Sequence, residues 1–203
     1  QYARIKFPLK VVDGENTVYV KKSQWTMEYF FMEQGYYTLI FDSEKQMDVV
    51  KDTSINKVVV EKVNLVEEKV KKYMFDRIGG RWMLTSIRTN DMVHNTNASF
   101  LAFYQHFATD PEFQLESLNN PVVFTGPDPD DDFSTMTGEI APETWPAFAP
   151  ELPSGNIYNI MYGQKYSEGS QKIFVMRGIA NGMEMRLTFK RMDGEWKLTS
   201  LSE

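Results

Sequence analysis

The chain has 203 residues, a net charge of −6 and no cysteine. That length suits one large domain or two of about 100 residues each. The missing cysteine excludes disulfides, thiol nucleophiles and thiolate metal sites; the acidic balance argues against nucleic-acid backbones as partners; and no apolar run reaches the ~18 residues of a membrane-spanning helix. The charge is uneven: positions 1–90 carry 15 basic and 12 acidic side chains, positions 91–203 carry 7 and 16. Solvated faces account for this, with attraction between the two halves as the sharper alternative. The first residue is Gln1, which fits a trimmed chain or a mature chain that has lost an export signal; the second is the expectation.

Arg4–Val12 reads as a strand, with Pro8 confining it to an edge or a bulge because proline lacks the ladder donor. Asp13-Gly14-Glu15-Asn16 is a turn and Thr17–Lys21 the return strand. Ser23 is placed as the N-cap of a short helix over Gln24–Met32, closed by Gly35. Tyr36–Phe41 is a strand, and Ser43–Asn56 a polar loop with room for a helical turn. Lys57–Val63, Lys69–Arg77 and Arg81–Arg88 form a three-strand meander turning at Gly79-Gly80. Thr89–Asn97 reads as a polar linker.

In Ala98–Ala108, Phe100, Phe103, Tyr104 and Phe107 recur at i, i+3, i+4 and i+7, the apolar stripe of a helix. Asp110 caps a second helix with Pro111 in its first turn. Pro121–Thr125 is a strand, Gly126–Gly138 a loop, Pro142–Phe148 a short helix and Asn156–Tyr162 a strand. Lys172–Ile179 and Met183–Arg191 form a hairpin through Asn181-Gly182. The last strand follows Asp193-Gly194, a dipeptide that tolerates the positive φ of a type I′ turn.

The chain also repeats itself. Phe75, Arg77, Gly80, Trp82, Leu84, Thr85 and Ser86 lie over Phe189, Arg191, Gly194, Trp196, Leu198, Thr199 and Ser200 at an offset of 114 positions. Pro8 with Pro121, Trp25 with Trp145, and Tyr37 with Tyr158 agree at nearby offsets, the drift falling in loops. This pattern predicts duplication of a domain-sized unit: a first unit over 1–90, a linker over 91–97, and a second unit over 98–203 opened by a helix over 98–118.

The order of helix, strands, short helix and a meander ending in Gly-x-Trp-x-Leu resembles a nuclear-transport-factor-2-like domain. The segment Phe-Leu-Ala-Phe-Tyr-Gln-His-Phe-Ala-Thr-Asp-Pro-Glu-Phe-Gln (100–114) is similar to that of a domain-of-unknown-function family of exported proteins from gut anaerobic Gram-negative bacteria. The resemblance implies an α+β fold of two tandem cones, each a curved antiparallel sheet on short helices, and an envelope location, with no established activity. The first unit lacks a counterpart of the helices over 100–113, so an upstream segment, the second unit or a partner chain is expected to cover its sheet.

Few constellations carry chemistry. His94 reads as solvated. His106 and Asp110 lie four apart on one helix, but Asp110 serves as a cap, and no catalytic residue is assigned. Asp128-Pro-Asp130-Asp-Asp132-Phe-Ser134 through Glu139 has the acidic spacing of a calcium loop but Phe133 where glycine must turn; a solvated acidic loop is the expectation, with no metal and no cofactor. Lys71, Lys72, Arg77 and Arg81 read as a solvated basic sheet face. Tyr104, Trp145, Phe148, Tyr158, Tyr162, Phe189 and Trp196 are expected in the second cone, and Tyr104, Trp145, Tyr158, Tyr162 and Trp196 are its pocket candidates. No phosphate loop, nucleophile elbow or His-Glu-x-x-His motif occurs. The functional expectation is a non-catalytic module of the bacterial envelope that binds a small molecule or an envelope protein, not nucleic acid. An isomerase, dehydratase or hydrolase using an aromatic pocket is the alternative, and a scaffold with a filled core is a third.

Overall fold

The computed structural model describes residues 4–27, 35–167 and 169–203, with the Asp132 side chain outside that set. The strands are β1 (Ile5–Asp13), β2 (Asn16–Val20), β3 (Tyr36–Phe41), β4 (Lys57–Asn64), β5 (Lys69–Ile78), β6 (Arg81–Asp91), β7 (Leu118–Asp128), β8 (Asp131–Ile140), β9 (Asn156–Met161), β10 (Gln171–Gly178), β11 (Glu184–Met192) and β12 (Glu195–Ser202). Among the described residues three short α-helices accompany them: α1 (Glu44–Met47), α2 (Ala98–Thr109) and α3 (Pro111–Glu116). The strands join in one curved, open sheet in the order β2-β1-β6-β5-β4-β9-β3-β10-β11-β12-β7-β8.

The order at the centre is not sequential. β3, from the N-terminal half of the chain, pairs antiparallel with β10, while β9, from the C-terminal half, pairs antiparallel with β4. The two exchanged strands touch each other in parallel at Thr38 and Asn159. Their composition suits this position. Thr38–Phe41 are all buried, as strands covered on both faces require, and such strands read as continuous apolar runs. Alternation then sends Ile40, Phe174 and Met176 to one face, where α2 packs, and Leu39, Phe41, Ile173 and Val175 to the other, under Met47, Val49 and Val50. A third cluster, Leu9, Val60, Tyr73, Leu84 and Ile87, fills the N-terminal half, with Phe7 and Trp25 against it.

Turn chemistry set several joints. Asp193 and Gly194 both have positive φ, as do Gly79 and Gly80, so both two-residue hairpins take the expected turn. Pro8 falls in a register shift between Ile5 and Lys10 of β1, the bulge position that proline tolerates. Asp110 caps α3, its carboxylate accepting from the Glu112 and Phe113 amides, and α3 ends at Glu116.

Other readings change. The Asn181-Gly182 hairpin is a five-residue loop: only Gly182 of the pair has positive φ, and Asn181 instead accepts the Met183 amide, an Asx turn. Ser23 lies inside a 3₁₀ turn over Lys22–Gln24 and caps no α-helix, and Trp25 is extended; positions 28–32 of that expected helix lie outside the described residues. The polar stretch 89–97 begins as the end of β6 and buries Met92, Asn95 and Asn97.

Gly126–Gly138 is not a loop but the body of the β7–β8 hairpin, which turns at Pro129-Asp130 between the paired Asp128 and Asp131. Glu139 lies opposite Val123, eight residues along β8 from Asp131, which is roughly 26 Å at ~3.3 Å per residue. Asp128 and Glu139 therefore cannot converge on one cation, and no metal-sized acidic cluster forms among the described residues.

Candidate functional site

The C-terminal half wraps its sheet around α2, and the aromatic stripe of that helix fills the space. Phe100 meets Phe189 and Trp196 at ring-centroid distances of 5.4 and 5.7 Å, Tyr104 lies 4.6 Å from Phe174, and Phe107 meets Phe189 edge-on at 5.1 Å. Each large ring removes some 150–250 Å² from water, so this interior is a packed core and not a chamber. Trp145 belongs to the same core, its indole N–H donating to Gln114 Oε1 at 2.8 Å.

Open space remains at the mouth, apart from a larger and more polar cleft of about 1070 Å³ on the outer side, lined by Ser43, Glu44, Lys45, Asn119, Gln171 and Lys190. Tyr104 donates its hydroxyl to the Pro153 carbonyl at 3.1 Å, which draws the segment 150–153 across the end of the cone. Between that segment and the ends of β3, β10 and β11 is a cavity of about 440 Å³, lined chiefly by Met176, Met183, Met185 and Leu152, with Tyr36, Glu151 and Glu203 as its polar groups. Burial, then the Glu151 carboxylate, then Tyr158, hold the Tyr36 hydroxyl above its ordinary pKa. It therefore remains a proton donor at neutral pH. Methionine side chains adapt their shape to a ligand at low cost.

Beneath the mouth, where β3, β4, β9 and β10 meet, the sheet buries charge. Glu61 is 1% exposed. It accepts from Asn95 Nδ2 at 2.9 Å and Asn159 Nδ2 at 2.8 Å, and pairs with Lys72 at 3.0 Å. Lys72 thus leaves the basic cluster read from the sequence and points inward. Lys172, 2% exposed, donates to Asp42 Oδ1 at 2.6 Å, Asn97 Oδ1 at 2.8 Å and the Ser167 carbonyl at 3.2 Å. Tyr166 stands between the two centres, its ring under Lys172 and its hydroxyl accepting from Gln164 Nε2 at 3.0 Å. Burial and then the Glu61 charge push that hydroxyl well above the usual range. The Asp42–Lys172 pair crosses between the halves with the acid on the more basic one, so net charge does not dictate how they meet.

The five sequence candidates do not gather at one place. Tyr104, Trp145 and Trp196 are in the aromatic core. Tyr158 follows Ile157 on β9, so its Cβ leaves the opposite face from that core. Tyr162 packs on the other side of the sheet with Leu39, Phe41, Ile173 and Val175. Phe189 is in the core, whereas Phe148 is half exposed against Phe124. His106 is exposed, its ring against Phe113, and His94 is exposed in a 3₁₀ turn. Sequence reasoning missed Tyr36, Met176, Met183 and Met185. Their signal was present: Tyr36 opens the most apolar strand, and Met176 and Met185 share the inward register of β10 and β11.

A curved open sheet around a short-helix layer, with an aromatic interior and a cavity at its mouth, is the architecture of an NTF2-like protein. The chain is similar to an NTF2-like protein of Bacteroides fragilis known from a crystal structure, with a TM-score of 0.91, 41% identity, and coverage of 98% of this chain and 87% of that one. The model of a domain of unknown function, DUF4348, matches residues 1–203, and the chain belongs to that family. No curated protein matches it.

Proposed function

We propose that this chain is a non-catalytic ligand-binding module of the bacterial cell envelope, built from two related units, which holds one small, mainly apolar molecule at the mouth of its C-terminal cone. The mouth cavity carries this reading. Its ~440 Å³ fall within the usual range for ligand sites, three methionines give it an adaptable apolar wall, and Tyr36 offers one hydrogen bond. The histidine–carboxylate pair that an isomerase or hydrolase commonly uses does not form here, because both His94 and His106 are exposed elsewhere; the ionisable groups at the mouth are Tyr36, Glu151 and Glu203.

The two-unit reading has support in the strand order, which is palindromic: β2-β1-β6-β5-β4 on one side answers β8-β7-β12-β11-β10 on the other. The cross-strand pairs Arg77–Trp82 and Arg191–Trp196 correspond, as do the register shifts at Phe75 and Phe189. The envelope assignment follows from the family resemblance. Fractionation of cells producing the native gene product should recover it outside the cytoplasm; recovery in the cytosol would overturn that part.

The neutral fluorescent probe N-phenyl-1-naphthylamine tests the site. Binding should saturate at one equivalent, with emission shifted to the blue. Met183 is exposed on the rim, so Met183→Arg fills the cavity without entering the core. The expected result is a loss of probe affinity of about tenfold or more, equivalent to ~1.4 kcal/mol, at unchanged thermal stability. Probe binding indifferent to this substitution would reject the site.

A further inference from the structure

Three of the side chains around the mouth cavity are methionines, and the strand register brings them together. Met176 on β10 and Met185 on β11 are directly opposite one another, so their Cβ atoms stand roughly 4.5–5.5 Å apart. Met183 lies two residues before Met185 and therefore leaves the same face. Its backbone is held at both ends. Its amide donates to Asn181 Oδ1 at 3.2 Å, and its carbonyl accepts from the Gly178 amide at 2.8 Å, which carries the β10–β11 register on past the Arg177–Glu184 pair. The fold thus fixes the points from which the three thioether arms start. All three line the same space of about 440 Å³. Met176 and Met185 are buried, and Met183 stands 41% exposed at the rim.

We infer that these three sulfurs bind one soft monovalent metal ion, Cu(I) or its analogue Ag(I). The inference goes beyond the organic ligand proposed above; it shares that cavity but does not depend on that ligand. Neutral thioether donors favour such ions, whereas calcium and magnesium take oxygen ligands and zinc takes thiolate, imidazole or carboxylate. An apolar molecule alone would be served as well by leucine as by methionine. What this wall has beyond apolar area is three polarizable sulfurs on one face of a strand pair, carried on unbranched side chains that can turn them toward a common point. The surrounding charge has the sign a cation needs. Glu151 and Glu203 line the cavity, and no lysine, arginine or histidine does so among the described residues. After burial, it is the Glu151 charge that raises the Tyr36 hydroxyl, the response of a group in a negative field, and the same field attracts a metal cation. The Tyr36 ring, a further attractor of cations, lines the same space.

The test is a titration of the full chain with silver nitrate in chloride-free buffer, followed by calorimetry and by the NMR signals of isotope-labelled methionine methyl groups. The chain has 12 methionines and no cysteine, so no thiol competes for the ion. One equivalent of Ag(I) is expected to bind, shifting the methyl signals of Met176, Met183 and Met185 and leaving the others in place. Met176→Leu and Met185→Leu conserve side-chain volume. Each should weaken silver binding about tenfold or more, while naphthylamine still binds. Cu(I), kept reduced by ascorbate and measured by competition with bicinchoninate, should show the same losses, and Zn(II) should bind far more weakly than silver. No silver binding, shifts at other methionines instead, affinity unchanged in both leucine variants, or zinc bound as tightly as silver would each overturn the inference. A parent chain that binds silver but not naphthylamine keeps the metal site and rejects the organic ligand; the converse result does the opposite.

Discussion

A Lys172→Met variant should lose about 3–5 kcal/mol of stability, because it breaks a buried pair and leaves the other charge in place. The Lys172 side chain is 3% exposed and that of Asp42 11%. Removal of the ammonium leaves the Asp42 charge without its ion-pair partner, although the Ser167 amide and hydroxyl still donate to Oδ2, and it also takes away the donor to the Asn97 amide oxygen. For a chain of this size each kcal/mol moves the melting temperature by ~2–4 °C, so a fall of roughly 6–20 °C is expected by differential scanning calorimetry. The double variant Lys172→Met/Asp42→Leu separates charge from packing. If the cost is the stranded carboxylate, the double variant recovers much of the loss. If it is as unstable as the single one, or if the single variant melts like the parent, the centre of the sheet is not held by this pair.

That pair was legible in retrospect. In β10, Lys172 shares its register with Phe174 and Met176, both in the core; a lysine on the inward face of an otherwise apolar strand announces a buried partner. Glu61 sits likewise in register with Val63 on β4. Charge counts over each half, which point to solvated faces, do not reveal such single inward positions. Strands with clean alternation, such as Met185–Phe189 and Trp196–Leu198, were placed correctly because period 2 is a strong local signal. The strand at Pro121–Thr125 is legible and falls within β7, but β7 beyond Thr125 and the whole of β8 are not, because they are rich in Asp, Thr and Gly and their turn lacks an Asn-Gly or Asp-Gly pair. The resemblance supplied the NTF2-like class, which periodicity alone could not. Neither could reveal the exchange of β3 and β9. An apolar run such as Tyr36–Phe41 states that a strand is covered on both faces, but pairing partners depend on contacts more than 100 residues away. The pocket candidates scattered for a related reason: aromatic content marks where rings are buried, whereas an open site needs the places where packing stops.

The exchange leads to the second large effect. Residues 1–97 and 98–203, produced separately, should each fail to fold cooperatively, and should regain the native circular dichroism spectrum when mixed. Without β3, β10 loses its partner along Phe41–Tyr36, and Ile173 and Val175 lose Leu39 and Phe41. Without β9, β4 becomes an open edge over Val59–Asn64, and Glu61 loses the Asn159 donor. Asn95 remains with the first fragment, so Glu61 keeps one donor and Lys72 but stays at an edge now open to water. Four apolar side chains of the kind removed here are worth about 1.5–3 kcal/mol each when buried, and stabilities of whole domains are only ~5–15 kcal/mol. Loss of a central strand therefore removes a fragment's margin, and mixing restores it because every lost contact is made by the other fragment. Analytical ultracentrifugation should find a 1:1 complex with one cooperative melting transition. Two fragments that each melt cooperatively alone would mean that β3 and β9 can return to their own halves, with the sheet breaking between Thr38 and Asn159, where a single bridge joins them.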